Sequence, residues 1–126
     1  MKTVKITNTT HTDRKAIQAK YCQSFLCQLR GLMFTPDLPE HHGLLLVQGS
    51  DSRVNSSIHM MFMRMDLSVF WINSQFEVVD RVLAHKWKLI YVSSQPARYV
   101  LEAGTDCLDS FDIGDKVQFE ESVQDG

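Results

Sequence analysis

Four polar side chains stand inside or beside apolar runs, where a folding chain would ordinarily place hydrophobic residues. His59 lies within the run from Ile58 to Met63, Arg64 and Asp66 interrupt the apolar stretch that continues to Ile72, and Glu102 follows Tyr99-Val100-Leu101. Polar groups in a buried run need partners. His59, Arg64 and Asp66 are therefore expected to line one mouth of the fold as a polar pocket floor. A histidine titrates near neutral pH and can serve as a general base. His59, Arg64, Asp66 and Glu102 are thus the candidate ligand-binding residues. A hydrolase-like enzyme would use His59 with Arg64, Asp66 or Glu102.

Other groups have simpler explanations. His41 and His42 are adjacent between Pro39 and Gly43. Strand neighbours point to opposite faces and cannot easily share one ion, so a polar surface loop is expected and no metal is assigned. Met60, Met61, Met63 and Met65 share a segment with Ile58 and Phe62, which reads as flexible core filling rather than a soft-metal site. Asp106, Asp109, Asp112 and Asp115 recur every third residue. A calcium loop needs acids at alternate positions and a closing Glu, so capping and turn formation explain them better. His85-Lys86-Trp87-Lys88, with Tyr91, Arg98 and Tyr99, mixes basic and aromatic residues as single-strand binders do. A net charge of -2 argues against strong phosphate binding, and nucleic acid is not the expected partner. The chain has no nucleophile elbow, phosphate-binding loop or dinucleotide fingerprint, and no cofactor is expected.

The elements that must position these residues are short. Val4 and Ile6 alternate with polar neighbours, suggesting an edge strand in an N-terminal arm, residues 1–18. Lys15 to Arg30 reads as partly helical, because Tyr21, Phe25 and Leu29 recur at helical spacing before Gly31. Strands are expected at Gly43 to Val47, Ile58 to Met63, Leu67 to Ile72, Phe76 to Leu83, Arg98 to Glu102 and Lys116 to Phe119. Asn73-Ser74-Gln75 closes a hairpin. Asp106 to Phe111 reads as a short helix capped by Thr105 or Asp106. The expected architecture is mainly β: a compact barrel- or sandwich-like domain of about seven short strands with one or two short helices. One β-rich domain spans residues 19–121, and residues 122–126 form a frayed tail. At 126 residues such a chain needs no metal or disulfide to fold. Cys22, Cys27 and Cys107 are accordingly expected as reduced thiols. No apolar leader or membrane-length segment is visible, so the expectation is a soluble cytoplasmic protein without a membrane partner.

Four segments together resemble a prokaryotic family catalogued as domain of unknown function 192. They are Leu29-Arg30-Gly31-Leu32-Met33-Phe34, the stretch Ile58-His59-Met60-Met61-Phe62-Met63-Arg64-Met65, Tyr99-Val100-Leu101-Glu102-Ala103-Gly104, and Ile113-Gly114-Asp115-Lys116-Val117. The resemblance covers Ala19 to Phe119 and implies a small, mainly β fold. It brings no activity, substrate or catalytic residue. Two departures stand out. Asp66 and Ser68 occupy positions where the family usually shows Pro and then Asp, and Gln28 stands where a basic residue is common.

These observations point to a non-enzymatic binding module for a small ligand or a protein, with the hydrolase and a weak single-strand binder as alternatives. The Gly31 and Gly104 elements are expected mainly to specify the fold. Each glycine would adopt positive φ at a tight turn. Glu102 would accept hydrogen bonds from backbone N–H groups or from Arg30.

Overall fold

Short apolar runs, alternating in β1 and buried on both faces in β4 and β6, form seven strands among the described residues: β1 (Thr3–Asn8), β2 (Ile17–Cys22), β3 (His42–Ser52), β4 (Leu67–Ile72), β5 (Val78–Ala84), β6 (Ala97–Ala103) and β7 (Val117–Ser122). The computed structural model describes residues 2–33, 35–60 and 62–122. One helix, α1 (Phe25–Arg30), and one 3-10 helix, Thr105–Ser110, complete the elements. The strands form a single sheet in the order β5-β4-β6-β3-β2-β1-β7. All its pairings are antiparallel except β2 with β3, which α1 joins as a crossover. The two edge strands approach at one end, where Glu77 bridges to Lys116 and the Val78 N–H donates to Asp115 O at 2.9 Å. The fold is therefore mainly β, as expected: one curled sheet that stops short of closing into a barrel.

Each face of the sheet carries a core. Ile6, Ile17, Leu45, Phe70, Leu101 and Phe111 belong to the first. Leu46, Met60, Met63, Val69, Trp71 and Val100 belong to the second, with Cys27, Leu32 and Leu38 packed against it. Met60 and Met63 thus fill the core, as their apolar surroundings predict; Met61 lies outside the described residues. The acids at 112 and 115 serve a turn. Asp115 accepts from the Asp112 N–H at 2.8 Å and the Asn8 amide at 2.8 Å, and Asp112 pairs with Arg14 and Arg81.

Several expectations are corrected. β1 is no edge strand, because it pairs with both β2 and β7. Only residues 25–30 of the stretch from Lys15 to Arg30 are helical. Tyr21 lies in β2, where Ile17 and Ala19 are buried and Lys20 is exposed, a period of two. The helix is short because Ser24 caps it, accepting the Cys27 N–H at 3.1 Å, and Gly31 ends it at φ 51. Ile58 to Met63 forms no strand. Ile58 makes one isolated bridge to Tyr91, while Met60 exchanges backbone hydrogen bonds with the turn at Trp87 and Lys88. Cys22 and Cys27 are joined as a disulfide across 5.8 Å between Cα atoms, leaving Cys107 as the free thiol. β7 runs through Ser122, and the rest of the expected tail, residues 123–126, lies outside the described residues. No helix among the described residues is long and apolar enough to cross a membrane.

The glycines also differ from expectation. Gly31 has positive φ, but Gly104 has φ -64 and itself precedes the 3-10 helix, with no side-chain cap from Thr105 or Asp106. A Cβ at Gly104 would meet only the Asp106 side chain, and no backbone. Gly43 is the constrained position, since a Cβ there would collide with the backbone of Glu102 and Ala103.

Two stability measurements check this packing. Leu101 is fully buried between β3 and β4, so Leu101→Ala should lower unfolding free energy by about 2–5 kcal/mol in urea denaturation. Gly43→Ala should destabilise by roughly 1–3 kcal/mol through overpacking, and more than Gly104→Ala. The reverse order would contradict the close approach of β3 to β6.

Candidate functional site

Glu102 sits on β6 beside Leu44 of β3 and Val69 of β4, residues of the second core. Strand alternation turns Leu101 to one core and Val100 and Glu102 to the other. The Glu102 side chain consequently enters a cavity of about 60 Å³. Leu46, Ile58 and Met63 supply its apolar wall, and Gln28, Arg30, Gln48, Asn55, Ser57 and His59 bring polar groups to it.

Each polar contributor is set by a local device. The Cys22–Cys27 disulfide ties the end of β2 to the first turn of α1. That places Gln28, which donates to Val47 O at 2.8 Å and accepts from the Gln48 amide at 2.8 Å. Gly31, at the helix end, passes close to the carboxylate; a Cβ on it would lie 3.6 Å from Glu102 Oε1. The opposite wall comes from the turn after β3, anchored by the Trp71 indole N–H donating to Ser56 O at 2.8 Å. Ser57 in that turn donates to Val54 O at 2.7 Å.

The electrostatics of Glu102 set it apart. The residue is 5% exposed, and burial pushes its carboxyl up from 4.5 to about 7. Among the described residues no hydrogen bond or ion pair reaches the carboxylate. The expected bonds from backbone N–H groups or from Arg30 are not formed, although Arg30 borders the cavity. An acid left without partners in a low-dielectric site keeps its proton to higher pH.

Of the four residues picked from sequence, the structure brings together His59 and Glu102. Arg64 is exposed and does not line the cavity. Asp66 borders a different depression, with Pro36 and Asp106. It accepts the Lys86 N–H at 2.8 Å, which together with His85 holds its carboxyl below the usual range. The run they interrupt is not buried throughout: Arg64 is exposed, and Asp66 is half-buried and finds its partners in Lys86 and His85. Gln28, Asn55 and Ser57 were missed because a short helix and a turn give no periodic signal, and Gln48 because it lies in β3 beyond the apolar run that marked the strand. Gln28 carried one hint, as a departure from the family pattern, and that departure falls in the cavity. Ser68 does not. It pairs with Ala103 and Leu83 and alternates with Val69, on the face opposite Glu102.

The basic and aromatic group is also dispersed. Arg98 donates to Gln48 O at 3.1 Å, whereas Lys86, Trp87 and Lys88 lie on an exposed turn whose Trp87 ring packs edge-on against Phe62. His41 and His42 likewise diverge: His42 is exposed and its Nδ1 lies 2.9 Å from Glu40 O, while His41 turns toward Asp106 and Cys107.

Comparison with known proteins agrees with this architecture. A UPF0127 protein of Thermococcus sibiricus is 34% identical over 82% of the chain and 66% of its own length. One from Pyrococcus furiosus is 29% identical over 92% of the chain and 98% of its own length. The chain thus spans just under two thirds of the Thermococcus relative and almost all of the Pyrococcus one. A crystal structure of a Sinorhizobium meliloti protein, described as a candidate transcription regulator, superposes with a TM-score of 0.83 at 18% identity, covering 94% of each chain. A Novosphingobium aromaticivorans protein of unknown function superposes at 0.78 with 20% identity, over 92% of this chain and 83% of its own. At such identities the two structures attest the fold alone. The model of the family described as Uncharacterized ACR, domain of unknown function 192, matches residues 6–119, and the chain belongs to that family.

Proposed function

We propose that the chain is a binding module for a small polar ligand whose hydrogen-bond-donating end enters the cavity at Glu102. One observation carries this reading: a buried carboxylate with no hydrogen-bond or ion-pair partner among the described residues, facing a cavity bordered by six polar side chains. Concave sites with a few convergent polar groups and a perturbed acid are the usual form of a binding site. The cavity is far below the roughly 300–1,000 Å³ of a drug-sized pocket. It accommodates the tip of a ligand, such as an ammonium or a hydroxyl, with the remainder lying across Arg30, Gln48 and Asn55. A donor of this kind satisfies the carboxylate and draws its pKa down.

General acid–base chemistry is the second reading. It is favoured by a carboxyl titrating at about 7 in the cavity that His59 also lines, because an acid poised near neutrality transfers protons efficiently. Under that reading Glu102→Gln abolishes turnover of a hydrolysable ligand while binding persists.

Two measurements check the assignment. In a thermal-shift screen of amines, polyols and oligosaccharides, at least one class should raise the melting temperature of the wild type and not of Glu102→Gln. A screen without such a compound, together with pull-downs that recover no partner, would remove the proposal. The second measurement is pH dependence. The folded carboxyl holds its proton up to about 7 while the unfolded one releases it near 4.5. Stability from this group is therefore complete below 4.5 and is lost as pH rises through 7, by roughly 3 kcal/mol in total. Glu102→Gln should flatten the stability profile across this window. An unchanged profile would show that the carboxylate is not desolvated as described.

A further inference from the structure

The turn before β3 and the 3-10 helix bring three chemically different donors together. His41, Asp106 and Cys107 each offer one ligand atom, and these atoms lie within 4.8 Å of one another. Cys107 Sγ is 3.6 Å from Asp106 Oδ2 and 4.0 Å from His41 Nδ1. His41 Nε2 is 3.9 Å from Asp106 Oδ2 and 4.0 Å from Glu40 Oε1. Donors around a tetrahedral zinc ion stand roughly 3.4–3.6 Å apart, given metal–ligand bonds of about 2.0–2.3 Å. A single imidazole nitrogen, the carboxylate and the thiol lie within 4.8 Å of one another, so side-chain shifts of up to about an ångström bring the set to that spacing.

We propose that His41, Asp106 and Cys107 form a binding site for a borderline divalent cation of the zinc type, with Glu40 or water in the fourth position. Imidazole, carboxylate and thiolate are the donors such an ion takes. The backbone is shaped to hold them together. His41 adopts φ 56, and its N–H donates to Asp106 Oδ2 at 3.1 Å. Gly104 leaves the space that the Asp106 carboxylate occupies, since a Cβ there would lie 2.5 Å from Asp106 Oδ1. Cys107 is buried, while His41 and Asp106 are partly open to solvent, so an ion reaches the thiol past them. Binding converts the Cys107 thiol to a thiolate and releases one proton to solvent.

The other cluster with metal-type donors, His11, Asp112 and Asp115, differs in the respect that matters. Arg14 and Arg81 already neutralise Asp112, and Asn8 and the Asp112 N–H occupy Asp115. A cation there would displace existing charges. No arginine or lysine pairs with Asp106 among the described residues.

Cobalt(II) titration of the metal-free protein tests the site. The expected result is a near-ultraviolet thiolate-to-cobalt band that saturates at one equivalent and is displaced by zinc, with a zinc-induced rise in melting temperature. Cys107→Ser should remove the band. His41→Ala should weaken binding by at least about 100-fold, since loss of outer-shell groups alone costs 10–100-fold. Cys22→Ser/Cys27→Ser should leave the band in place. If Cys107→Ser fails to fold, His41→Ala and Asp106→Asn, at partly exposed positions, decide the matter. The absence of a band in the folded wild type would overturn the proposal, as would a band that survives His41→Ala and Asp106→Asn at unchanged affinity.

Discussion

β3 and β6 can pair at Gly43 only because that residue has no side chain. Any Cβ there would strike the backbone of Glu102 and Ala103. This contact fixes the register of the central strands, with Gly43 opposite Ala103 and Leu45 opposite Leu101. Register in turn decides which residues reach which core, because a shift of one position exchanges the two faces of a strand. With the observed register Leu101 and Ala103 enter the first core and Val100 the second, and Glu102 faces the cavity on the second side. Gly43 also follows His42, the first residue of β3, so the same contact sets where the His41 turn meets the 3-10 helix. Both candidate sites therefore depend on one close approach.

The sequence made the regular part of this arrangement legible. The β4–β5 hairpin follows from two apolar runs flanking Asn73-Ser74-Gln75, and the structure closes it with the Phe76 N–H donating to Asn73 O. β3, β6 and β7 follow from short apolar or alternating runs. β2 was hidden because Tyr21, Phe25 and Leu29 fall at helical spacing by coincidence: the first lies at the end of a strand and the other two in α1. The segment from Ile58 to Met63 misled in the opposite sense. It is apolar because it covers the second core, with Ile58, Met60 and Met63 buried, and its backbone partners are turns. Apolar content reports burial, whereas only hydrogen-bond pairing makes a strand.

The candidate site was legible to the same degree. His59 and Glu102 stood out as polar residues in apolar company, and that signal survives any change in secondary structure. Arg64 and Asp66 were added as polar groups in a buried run that needed partners, but Arg64 is exposed and Asp66 is paired elsewhere. The polar rim depends on long-range packing of α1 and the turn after β3, which no local pattern encodes. The disulfide belongs to this class. Cys22 and Cys27 lie five positions apart, and their Cα separation falls within the range a bridge requires only because a strand ends and a helix begins between them. Holding α1 in this way keeps Gln28 and Gly31 at the cavity.

Asp115 shows what the Glu102 environment lacks. Both acids are almost fully buried, at 4% and 5% exposure. Burial pushes the Asp115 carboxyl up as well, yet the Asp112 N–H, the Asn8 amide and His11 outweigh it and hold the group below its ordinary value. The two carboxyls thus shift in opposite directions: Asp115 has donors that hold it charged, while Glu102 is the more strongly desolvated and has none among the described residues. Asp115 is a structural acid, since its charge is matched and it ties the N-terminal loop to the turn before β7. Glu102 opposes folding as pH approaches neutrality and contributes no contact that a glutamine or leucine would not. Its position is therefore not explained by the stability of its charged form.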